Sequence, residues 1–429
     1  MADEWESAPL SELCEQIADC PHSTPLWTDG GVIVLRNQNI RDGRLDLSSP
    51  SYTDEAHFEQ RSRRAKLKAG DLVLTREAPM GEVCMVPENL RCCLGQRMVM
   101  LRPDPKKCDS RFLLYSIQSD AVQHEIKVNE GTGSTVSNLR IPLLEALPIP
   151  HPPIPEQKAI AEVLGPLDDK IELNRRMNAT LEAMARALFQ SWFVDFDPVR
   201  AKLDGRPPAA LDPATAALFP EHLEDSPLGH IPKGWTAGRL GDIGTNSRRG
   251  VQPRDIAPNT PYIALEHMPR RCIALGDWAD SADVASGKCA FKKGEILFGK
   301  LRPYFHKVGV APFDGVCSTD ILVLAPKSPA WFGFLLGHAS SDELIQFTDL
   351  ASTGTKMPRT NWSDISSFKV ALPPKPIAAA FTRNIQPMLD RIHGNLHQSR
   401  TLATLRDTLL PKLLSGELSV TEVEKEVPA

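Results

Sequence analysis

The apolar residues form two different patterns along the chain. Short β-rich runs of about four or five residues, separated by Gly, Pro, Asn and Asp, predict strands joined by turns and loops. These runs begin at Val32, Asp71, Met98, Tyr262, Glu295 and Asp320. Two longer segments instead place apolar residues alternately four and three positions apart, as in a helix that packs along another helix. The combination predicts an α+β fold.

The two helical segments are copies of one another. From Gly131 onward the chain aligns without a gap with the residues 221 positions later, so that Thr132 and Gly133 match Thr353 and Gly354. The helix seam positions are Ile160, Leu164, Leu167, Ile171, Asn174, Asn178, Leu181 and Leu188 in the first copy, and Phe381, Ile385, Met388, Ile392, Asn395, Leu402 and Leu409 in the second. A fainter match upstream, GDLVLT with GEILFG, extends the similarity. A repeat of this size predicts a duplicated domain.

This duplication predicts two variable bodies, each followed by a long helix. The predicted segments are a first body at 1–154, a first helix region at 155–196, a linker at 197–231 with a short helix near 209–218, a second body at 232–374, a second helix region at 375–416 and an acidic tail at 417–429. One helix is predicted before each TG loop, near 112–127 and 331–347. Pro166 and Pro387 should break or kink the long helices, so that a short helix leads into a longer one.

Each long helix has an apolar seam that needs a partner, and the other copy is the obvious one. After its proline each helix spans roughly 40 Å. Asn174 and Asn178 on the seam would fix register and orientation. Antiparallel packing of two like units would create a pseudo-two-fold axis. The alternative is that each helix packs only on its own body.

Charge is unevenly distributed along the chain. The net charge is -5, with -6 in residues 1–19, -4 in 195–230 and -3 in 417–429, but +4 in 231–374 and +4 in 375–416. Neutral to mildly basic bodies could face phosphate. Neither a signal peptide nor an apolar run of membrane-spanning length is found, so we expect a cytoplasmic protein without a membrane partner. The nine cysteines contain no CxxC pair, so we expect reduced thiols and no zinc site.

Five motifs distributed over nearly the whole chain point to a known family. They are the run IPEQKAIAEVLGPLDDKIELNRRMNATLEAMARALFQSWFVDFDPVRAKLDGRPP, the strands LGQRMVMLRP and DGVCSTDILVLAP, the paired TG[ST] loops, and the closing TLRDTLLPKLLSGEL. These motifs resemble those of type I restriction-modification specificity subunits. The resemblance implies a non-catalytic DNA reader in which two target-recognition domains are separated by a pair of long antiparallel helices. Each domain would read one half of a bipartite DNA site.

The same resemblance implies the partners of the chain. Double-stranded DNA would be bound by the bodies, and two methyltransferase subunits would dock on the helices and bodies. Those subunits would hold S-adenosylmethionine and methylate adenine, while restriction and motor subunits would use ATP and Mg²⁺. No cofactor is then expected in this chain.

Base reading needs donors and acceptors on loops, typically Arg for guanine and Asn or Gln for adenine. The candidates in the first body are Arg36, Asn37, Gln38, Asn39 and Arg76, with Thr132, Gly133, Ser134 and Thr135 of the TG loop. In the second body they are Arg248, Arg249, His267, Lys300, Arg302 and Tyr304, with Thr353, Gly354, Thr355 and Lys356. Because the TG loops recur in both bodies, we expect them to support a shared framework or a backbone contact. The basic run RSRRAKLK at Arg61 could approach phosphate or form a solvated loop.

The sequence lacks the motifs that would identify it as an enzyme. The sequence has no Asn-or-Asp-Pro-Pro-aromatic motif of adenine methyltransferases, no Walker A loop, no HExxH and no GxSxG. A loose nuclease pattern at Asp104, Glu125 and Lys127 does not recur in the second copy, so we expect neither catalysis nor a metal site. The alternative function is an interaction scaffold, with two bodies on a helical spacer, that binds no DNA. Steep salt dependence of binding would distinguish the DNA reader.

Overall fold

The chain forms two compact units. A computed structural model describes residues 5–129, 138–352 and 357–420 of the 429 in the sequence. The first unit combines the described residues up to Lys170 with those from Leu402 onward, and the second unit comprises Ile171–Thr401. We call the strand-rich part of each unit its body, with the first body at Ser7–Pro150 and the second at Thr236–Leu372.

The first body is built on a four-stranded antiparallel sheet. Its strands lie in the order Cys14–Asp19, Met98–Pro103, Leu72–Thr75, Val83–Met85. A second sheet has the order Ser51–Thr53, Val32–Leu35, Cys92–Leu94, and its last pair is parallel. Two small ladders join Ser7–Pro9 with Pro148–Pro150 and Ile40–Arg41 with Arg44–Leu45. Leu72–Thr75, which we call the central strand, is one of the two inner strands of this sheet and is buried along its length.

The second body repeats this plan. Its four-stranded sheet has the order Gly244–Asn246, Ile321–Pro326, Ile296–Gly299, Val308–Val310. Its second sheet has the order Gly250–Val251, Lys288–Phe291, Gly315–Cys317, Pro261–Ile263, Ala279–Asp280. The ladder between Thr236–Arg239 and Lys369–Leu372 corresponds to that between the two ends of the first body.

The strand order shows that the two bodies are copies with different additions. In both, the four-stranded sheet has the same order, and in both the second sheet contains one parallel pair, Val32–Leu35 with Cys92–Leu94 and Pro261–Ile263 with Gly315–Cys317. The second body adds Gly250–Val251 and Lys288–Phe291 to that sheet. The predicted α+β fold is therefore confirmed.

Short helices cover the sheets. The α-helices of the first body are Leu10–Leu13, Glu55–Arg61, Ser110–Gln118, Asp120–Val128 and Ile141–Glu145. Those of the second body are Leu240–Ile243, Phe332–Ala339, Asp342–Ala351 and Trp362–Ser367. Single 3-10 turns lie at Asn37–Asn39, Pro253–Asp255, Leu265–His267, Ser281–Asp283, Pro303–Phe305 and Pro329–Trp331.

The prediction of one helix before each TG loop is wrong in both bodies, because a serine divides the segment in two. The hydroxyl of Ser119 accepts a hydrogen bond from the backbone N–H of Val122 at 3.4 Å. In the second body the hydroxyl of Ser341 accepts one from Leu344 at 3.2 Å. A serine with extended backbone and a side chain bonded three residues ahead begins a new helix. The apolar period continues across the break and hides it from sequence inspection.

Two long helices of 40 residues each follow the bodies. The first long helix is Ile154–Phe193 and the second long helix is Lys375–Leu414. The predicted division into a short and a longer helix at Pro166 and Pro387 is wrong, because each helix runs through its proline as one element. A proline removes one backbone hydrogen bond. In the second long helix, burial of apolar residues on both sides of Pro387 in one core offsets that loss.

Each body packs against parts of both long helices. In the first unit the core contains Ile160 and Leu164 of the first long helix together with Leu410, Leu413 and Leu414 of the second. These residues surround body residues that include the sheet strands and the helix Ser110–Gln118. The core of the first body is thus completed by the N-terminal half of the first long helix and the C-terminal end of the second long helix. The alternative in which a helix packs only on its own body is wrong.

The second unit has the corresponding arrangement. Phe381 and Ile385 of the second long helix pack with Phe189, Trp192 and Phe193 of the first. These residues occupy the same positions, 221 residues apart, as the apolar residues of the first core. The repeat in the sequence is therefore also a repeat in packing.

A buried polar layer joins the two helices inside the second unit. The Asn174 Nδ2 donates hydrogen bonds to Gln398 Oε1 at 2.9 Å and Ser399 Oγ at 3.2 Å. The Asn395 Nδ2 donates one to Asn178 Oδ1 at 2.8 Å. Because the earlier asparagine of the first helix bonds to the later residues of the second, the helices are antiparallel here, as predicted. Buried asparagines have bonding partners in only one alignment and so specify register.

The other seam residues vary in burial. Those buried are Ile160, Leu164, Ile171, Phe381, Ile385 and Ile392. Those half-buried are Leu167, Leu181, Leu188, Met388, Leu402 and Leu409. Next to Met388, Leu389 is buried instead, so the apolar face of the second helix is shifted by one residue at that point.

The segment predicted as a linker is structured. It contains helices Asp197–Leu203 and Pro213–Ala217 and a hairpin of Leu223–Ser226 with Gly229–Pro232. The predicted short helix is thus present, and Val199 and Phe219 are buried in the second core. Among the helices within 5–129, 138–352 and 357–420, none combines the length and the apolar character needed to cross a membrane.

Candidate nucleic-acid interface

The two bodies hold the chain after their TG loops in the same way. In the first body the backbone N–H of Leu139 donates to the carbonyl of Arg76 at 3.1 Å. In the second body the N–H of Thr360 donates to the carbonyl of Lys300 at 3.0 Å. Arg76 and Lys300 each follow the central strand of their sheet. This anchor brings the segment that leaves the TG loop to the end of the central strand in both bodies.

The TG loops themselves lie outside the described residues. The predicted contacts at Thr132, Gly133, Ser134, Thr135, Thr353, Gly354, Thr355 and Lys356 therefore remain predictions.

A basic groove lies beside this anchor in the second body. Its volume is about 550 Å³, and three cationic side chains line it, those of Arg248, Lys300 and Arg359. Its other lining residues include Asn246, Ser247, Thr319, Thr360 and Asn361, with Ile321 and Leu322 on the apolar side. A groove with cations, amides and hydroxyls at its edge suits the phosphates and base edges of a nucleic acid.

Separate elements of the second body bring these cations together. Arg248 follows the edge strand Gly244–Asn246, and Lys300 follows the central strand Ile296–Gly299. Arg359 is held by a bridge between its own backbone and that of Leu301. The sequence predicted Arg248 and Lys300 but missed Arg359, whose position just after the TG loop was the available signal.

The electrostatic balance of the groove is positive. Arg359 lies 3.4 Å from the carboxylate of Asp320, and its side chain is more than half exposed. Arg248 is exposed and Lys300 is half-buried. The neighbouring Arg249 is less available to contact a nucleic acid, because its guanidinium pairs with Glu295 and donates to the carbonyl of Ala290 at 3.2 Å.

Arg76 occupies the position in the first body that corresponds to Lys300 in the second. Its Nε donates to the carbonyl of Leu139 at 2.8 Å, and its Nη1 lies 2.7 Å from Asp19. The Nη2 donates to Asn138 Oδ1 at 3.3 Å. Arg76 is buried, so the structure places this predicted reader inside the body, where it holds the segment after the TG loop. Its partners lie far from it in the sequence and could not be anticipated.

Replacing Arg76 by Ala is expected to lower the free energy of unfolding of the first unit by about 3 kcal/mol, because Asp19 loses its partner in a largely buried site. Arg76→Lys should recover only part of the loss, since lysine cannot bond all three partners. Urea unfolding of the full chain measures the change. Arg97→Ala, at an exposed guanidinium beside Glu77, is the control and should change stability by less than about 1 kcal/mol. Equal losses for both variants would contradict a structural role specific to Arg76.

The cluster Arg36–Asn39 divides into two pairs. Asn37 and Asn39 are used internally, since the Asn37 amide donates to the carbonyls of Glu77 and Ala78, and Asn39 bonds to Arg36 N–H and Asp46 carbonyl. Arg36 and Gln38 are exposed. The Arg36 Cζ lies 5.2 Å from the ring centre of Trp27, a partly exposed aromatic residue that the sequence analysis missed. Arg36 also donates from Nη1 to Ser51 Oγ at 3.4 Å. Arg36 and Gln38 are therefore the exposed members of the cluster and its better candidates for DNA contact.

The predicted residues His267 and Tyr304 differ in exposure and in hydrogen bonding. His267 is half-buried, and its Nδ1 accepts from the backbone N–H of Ala264 at 2.9 Å, which caps a 3-10 turn. Tyr304 is exposed on a second such turn, Pro303–Phe305, directly after Arg302.

The basic run beginning at Arg61 also has two parts. Arg61 is buried and donates to the carbonyls of Leu94 at 3.0 Å and Ser23 at 2.9 Å. Its later cations, Arg63, Arg64, Lys66 and Lys68, are exposed. Only these could approach phosphate.

The metal-ligand and thiol chemistry of the described residues is as follows. Within the ranges that the structure covers, no group of three or more His, Cys, Asp or Glu side chains could hold a metal ion. Glu125 of the loose nuclease pattern lies on the helix Asp120–Val128. Burial raises the pKa of the Cys93 thiol to about 11 and that of Cys92 to about 12, so neither is a ready nucleophile near neutral pH.

Comparison with known proteins gives consistent similarities. Residues 2–183 match the family described as type I restriction modification DNA specificity domain. The chain is 29% identical over 366 residues to the type I restriction enzyme MjaIX specificity subunit of Methanocaldococcus jannaschii, covering 82% of this chain and 79% of that protein. It is 25% identical over 405 residues to the HindI specificity subunit of Haemophilus influenzae, covering 82% and 87%.

A solved structure extends the similarity to the fold. The S subunit of a type I restriction-modification system from M. genitalium aligns over 96% of both chains with a TM-score of 0.53 and 17% identity. The comparisons give no support to a scaffold that binds no DNA.

Proposed function

We propose that this chain is a specificity subunit of a type I restriction-modification system and that each of its two bodies reads one half of a split DNA site, as its similarity to such subunits supports. As a specificity subunit the chain is non-catalytic and directs the chemistry of its partners. Two readers built on the same fold account for the duplication in the sequence.

The observation that carries this proposal is a common framework with a different reading surface in each body. Both bodies share the order of the four-stranded sheet and the anchor after the TG loop. At that anchor the second body has a basic groove, whereas in the first body the cation at the equivalent position, Arg76, is buried and paired with Asp19. Specificity depends on side chains at base edges, so two such surfaces would select different base sequences.

The partners follow from the same proposal. Two methyltransferase subunits, which hold S-adenosylmethionine and methylate adenine, would dock on the long helices and bodies, and restriction and motor subunits would use ATP and Mg²⁺. Leu173, Met184 and Leu405 are exposed apolar residues on the long helices and are the positions at which such docking can be tested by substitution. This chain would hold no cofactor of its own, and a DNA-reading role would put it in the cytoplasm.

Co-expression with the methyltransferase subunit of its own system, followed by sequencing of methylated adenines, tests the proposal. We expect a motif of two parts with a fixed unread gap. Exchange of residues 236–372 for the matching segment of a relative should change one half of the motif and leave the other intact. A stable complex that leaves DNA unmodified, or a change in both halves on exchange, would overturn the assignment of one half to each body.

A further inference from the structure

The turn Arg302–His306 in the second body has an unusual backbone. Arg302 and His306 have φ values of +51° and +50°, so two non-glycine residues in the left-handed region flank the 3-10 turn Pro303–Phe305. Side chains are strained in this region, and such residues persist only where their surroundings hold them. Strained positions of this kind cluster at binding sites.

Several bonds hold the turn in place. The N–H of Arg302 donates to the carbonyl of Pro358 at 2.8 Å, in the segment that follows the second TG loop. The carbonyl of His306 accepts from the N–H of Arg271 at 2.9 Å, and the ring Nε2 of His306 lies 3.0 Å from the carbonyl of Ser340. The turn is therefore fixed to the same segment that lines the basic groove.

The turn presents an aromatic side chain beside cations. Tyr304 is 49% exposed, and its ring centre lies 4.8 Å from that of Phe305. The Arg270 Cζ lies 4.0 Å from the Phe305 ring centre, and the Arg302 Cζ lies 5.9 Å from it. Two guanidinium groups on one ring are held by cation–π attraction while their N–H groups remain donors. The buried Nε of Arg302 has no hydrogen-bond partner among the residues described.

Nearby charges leave the surface positive. Arg271, next to Arg270, is paired with Asp342 at 2.8 Å, so it contributes little net charge. Lys307 donates to the carbonyl of Leu265, and burial together with the charge of Arg270 lowers its pKa. Arg270 has no such carboxylate within salt-bridge distance among the described residues, and it lies on the exposed side of the body.

We propose that the Arg302–His306 turn determines specificity in the second half-site, with the Tyr304 ring packed on a base step and Arg270 on the adjacent phosphate. This inference rests on the proposed function and names the residues that carry it out in one body. An exposed aromatic ring supplies a wedge at a base step, where the cost of opening the stack depends on the base sequence. An arginine held on a neighbouring ring supplies a positioned charge for a phosphate. The turn's bond to Pro358 joins both residues to the anchor that the two bodies share.

The experiment uses the full complex with its methyltransferase partner and DNA duplexes that vary at every position of the second half-site. Tyr304→Ala should weaken binding of the preferred site about tenfold and relax the base preference at one or two adjacent positions, with an unchanged salt slope. Arg270→Gln should weaken binding of all sequences alike and reduce the salt slope by about one. The preference in the first half-site should be unaffected by either change.

Controls separate a DNA contact from general damage. Leu203→Ala removes an exposed apolar side chain, 46% exposed, from outside the body and should leave binding and preference unchanged. Tyr304→Phe keeps the ring and should retain the base preference, which a purely structural role of the hydroxyl would not predict. The melting temperature of every variant is measured, and Tyr304→Leu replaces Tyr304→Ala if the latter is unstable.

The outcomes distinguish this inference from the proposed function. If the wild-type complex shows a split motif but Tyr304→Ala and Tyr304→Leu keep the full base preference, the turn is not the reader and the inference fails alone. If the wild-type complex shows no sequence preference, the proposed function fails as well.

Discussion

Phe381→Ala is expected to lower the free energy of unfolding of the second unit by about 4 kcal/mol. Phe381 is 1% exposed, and its ring centre lies 4.9 Å from that of Phe193 and 5.5 Å from that of Trp192. Removing it leaves a cavity where the second long helix, the first long helix and the body meet. The loss includes both the transfer of the ring and the contacts of the cavity walls.

Urea unfolding of the full chain, followed by the fluorescence of tryptophans such as Trp192, measures this change. Met184→Ala, at a 48% exposed position of the first long helix, is the matched control and should cost less than about 1 kcal/mol. A loss of similar size for both substitutions would show that the aromatic cluster is not the centre of the second core.

Neutralising the basic groove is expected to have the largest effect on DNA binding. The triple variant Arg248→Gln, Lys300→Gln and Arg359→Gln should lower affinity for DNA by roughly 100-fold or more at physiological salt, since each lost contact costs on the order of 1 kcal/mol or more. If all three cations neutralise phosphates, the slope of log affinity against log salt should fall by about three. Titration of the complex with duplex DNA at several salt concentrations measures both quantities.

A matched variant removes the same charge elsewhere in the second body. Arg239→Gln, Arg254→Gln and Lys369→Gln neutralise three exposed cations that do not line the groove. This control should lower affinity by less than tenfold through the general field of the protein. Equal losses for the two triple variants would mean that net charge, and not the groove, attracts the DNA.

Much of the fold could be predicted because it depends on local patterns. Short β-rich apolar runs identified the strands at Val32, Asp71 and Asp320, and the steps of four and three residues identified both long helices. The shift of 221 residues revealed the duplication. The strand and helix signals are read over short stretches of chain, where periodicity follows directly from backbone geometry, whereas the repeat is read by comparing two distant segments of the sequence.

The errors in local structure arose where tertiary contacts or a single cap outweighed the pattern. Pro387 did not divide the second long helix, because apolar residues on both of its sides are buried in one core. Ser119 and Ser341 divided helices whose apolar period continues through them. A cap depends on one side-chain hydrogen bond and leaves periodicity unchanged, so the period alone does not reveal it.

The sequence by itself determined the repeat, the α+β class, the antiparallel partner of each helix and a set of candidate readers, because these depend on residue type and spacing. Only the tertiary structure decided which candidates are available. Arg76 is paired with Asp19, and Arg249 is paired with Glu295. Arg248, Lys300 and Arg359 instead line one groove. The residue type of a charged side chain does not reveal whether it pairs inside the body or faces DNA. Its role is set by partners that folding brings from distant parts of the chain.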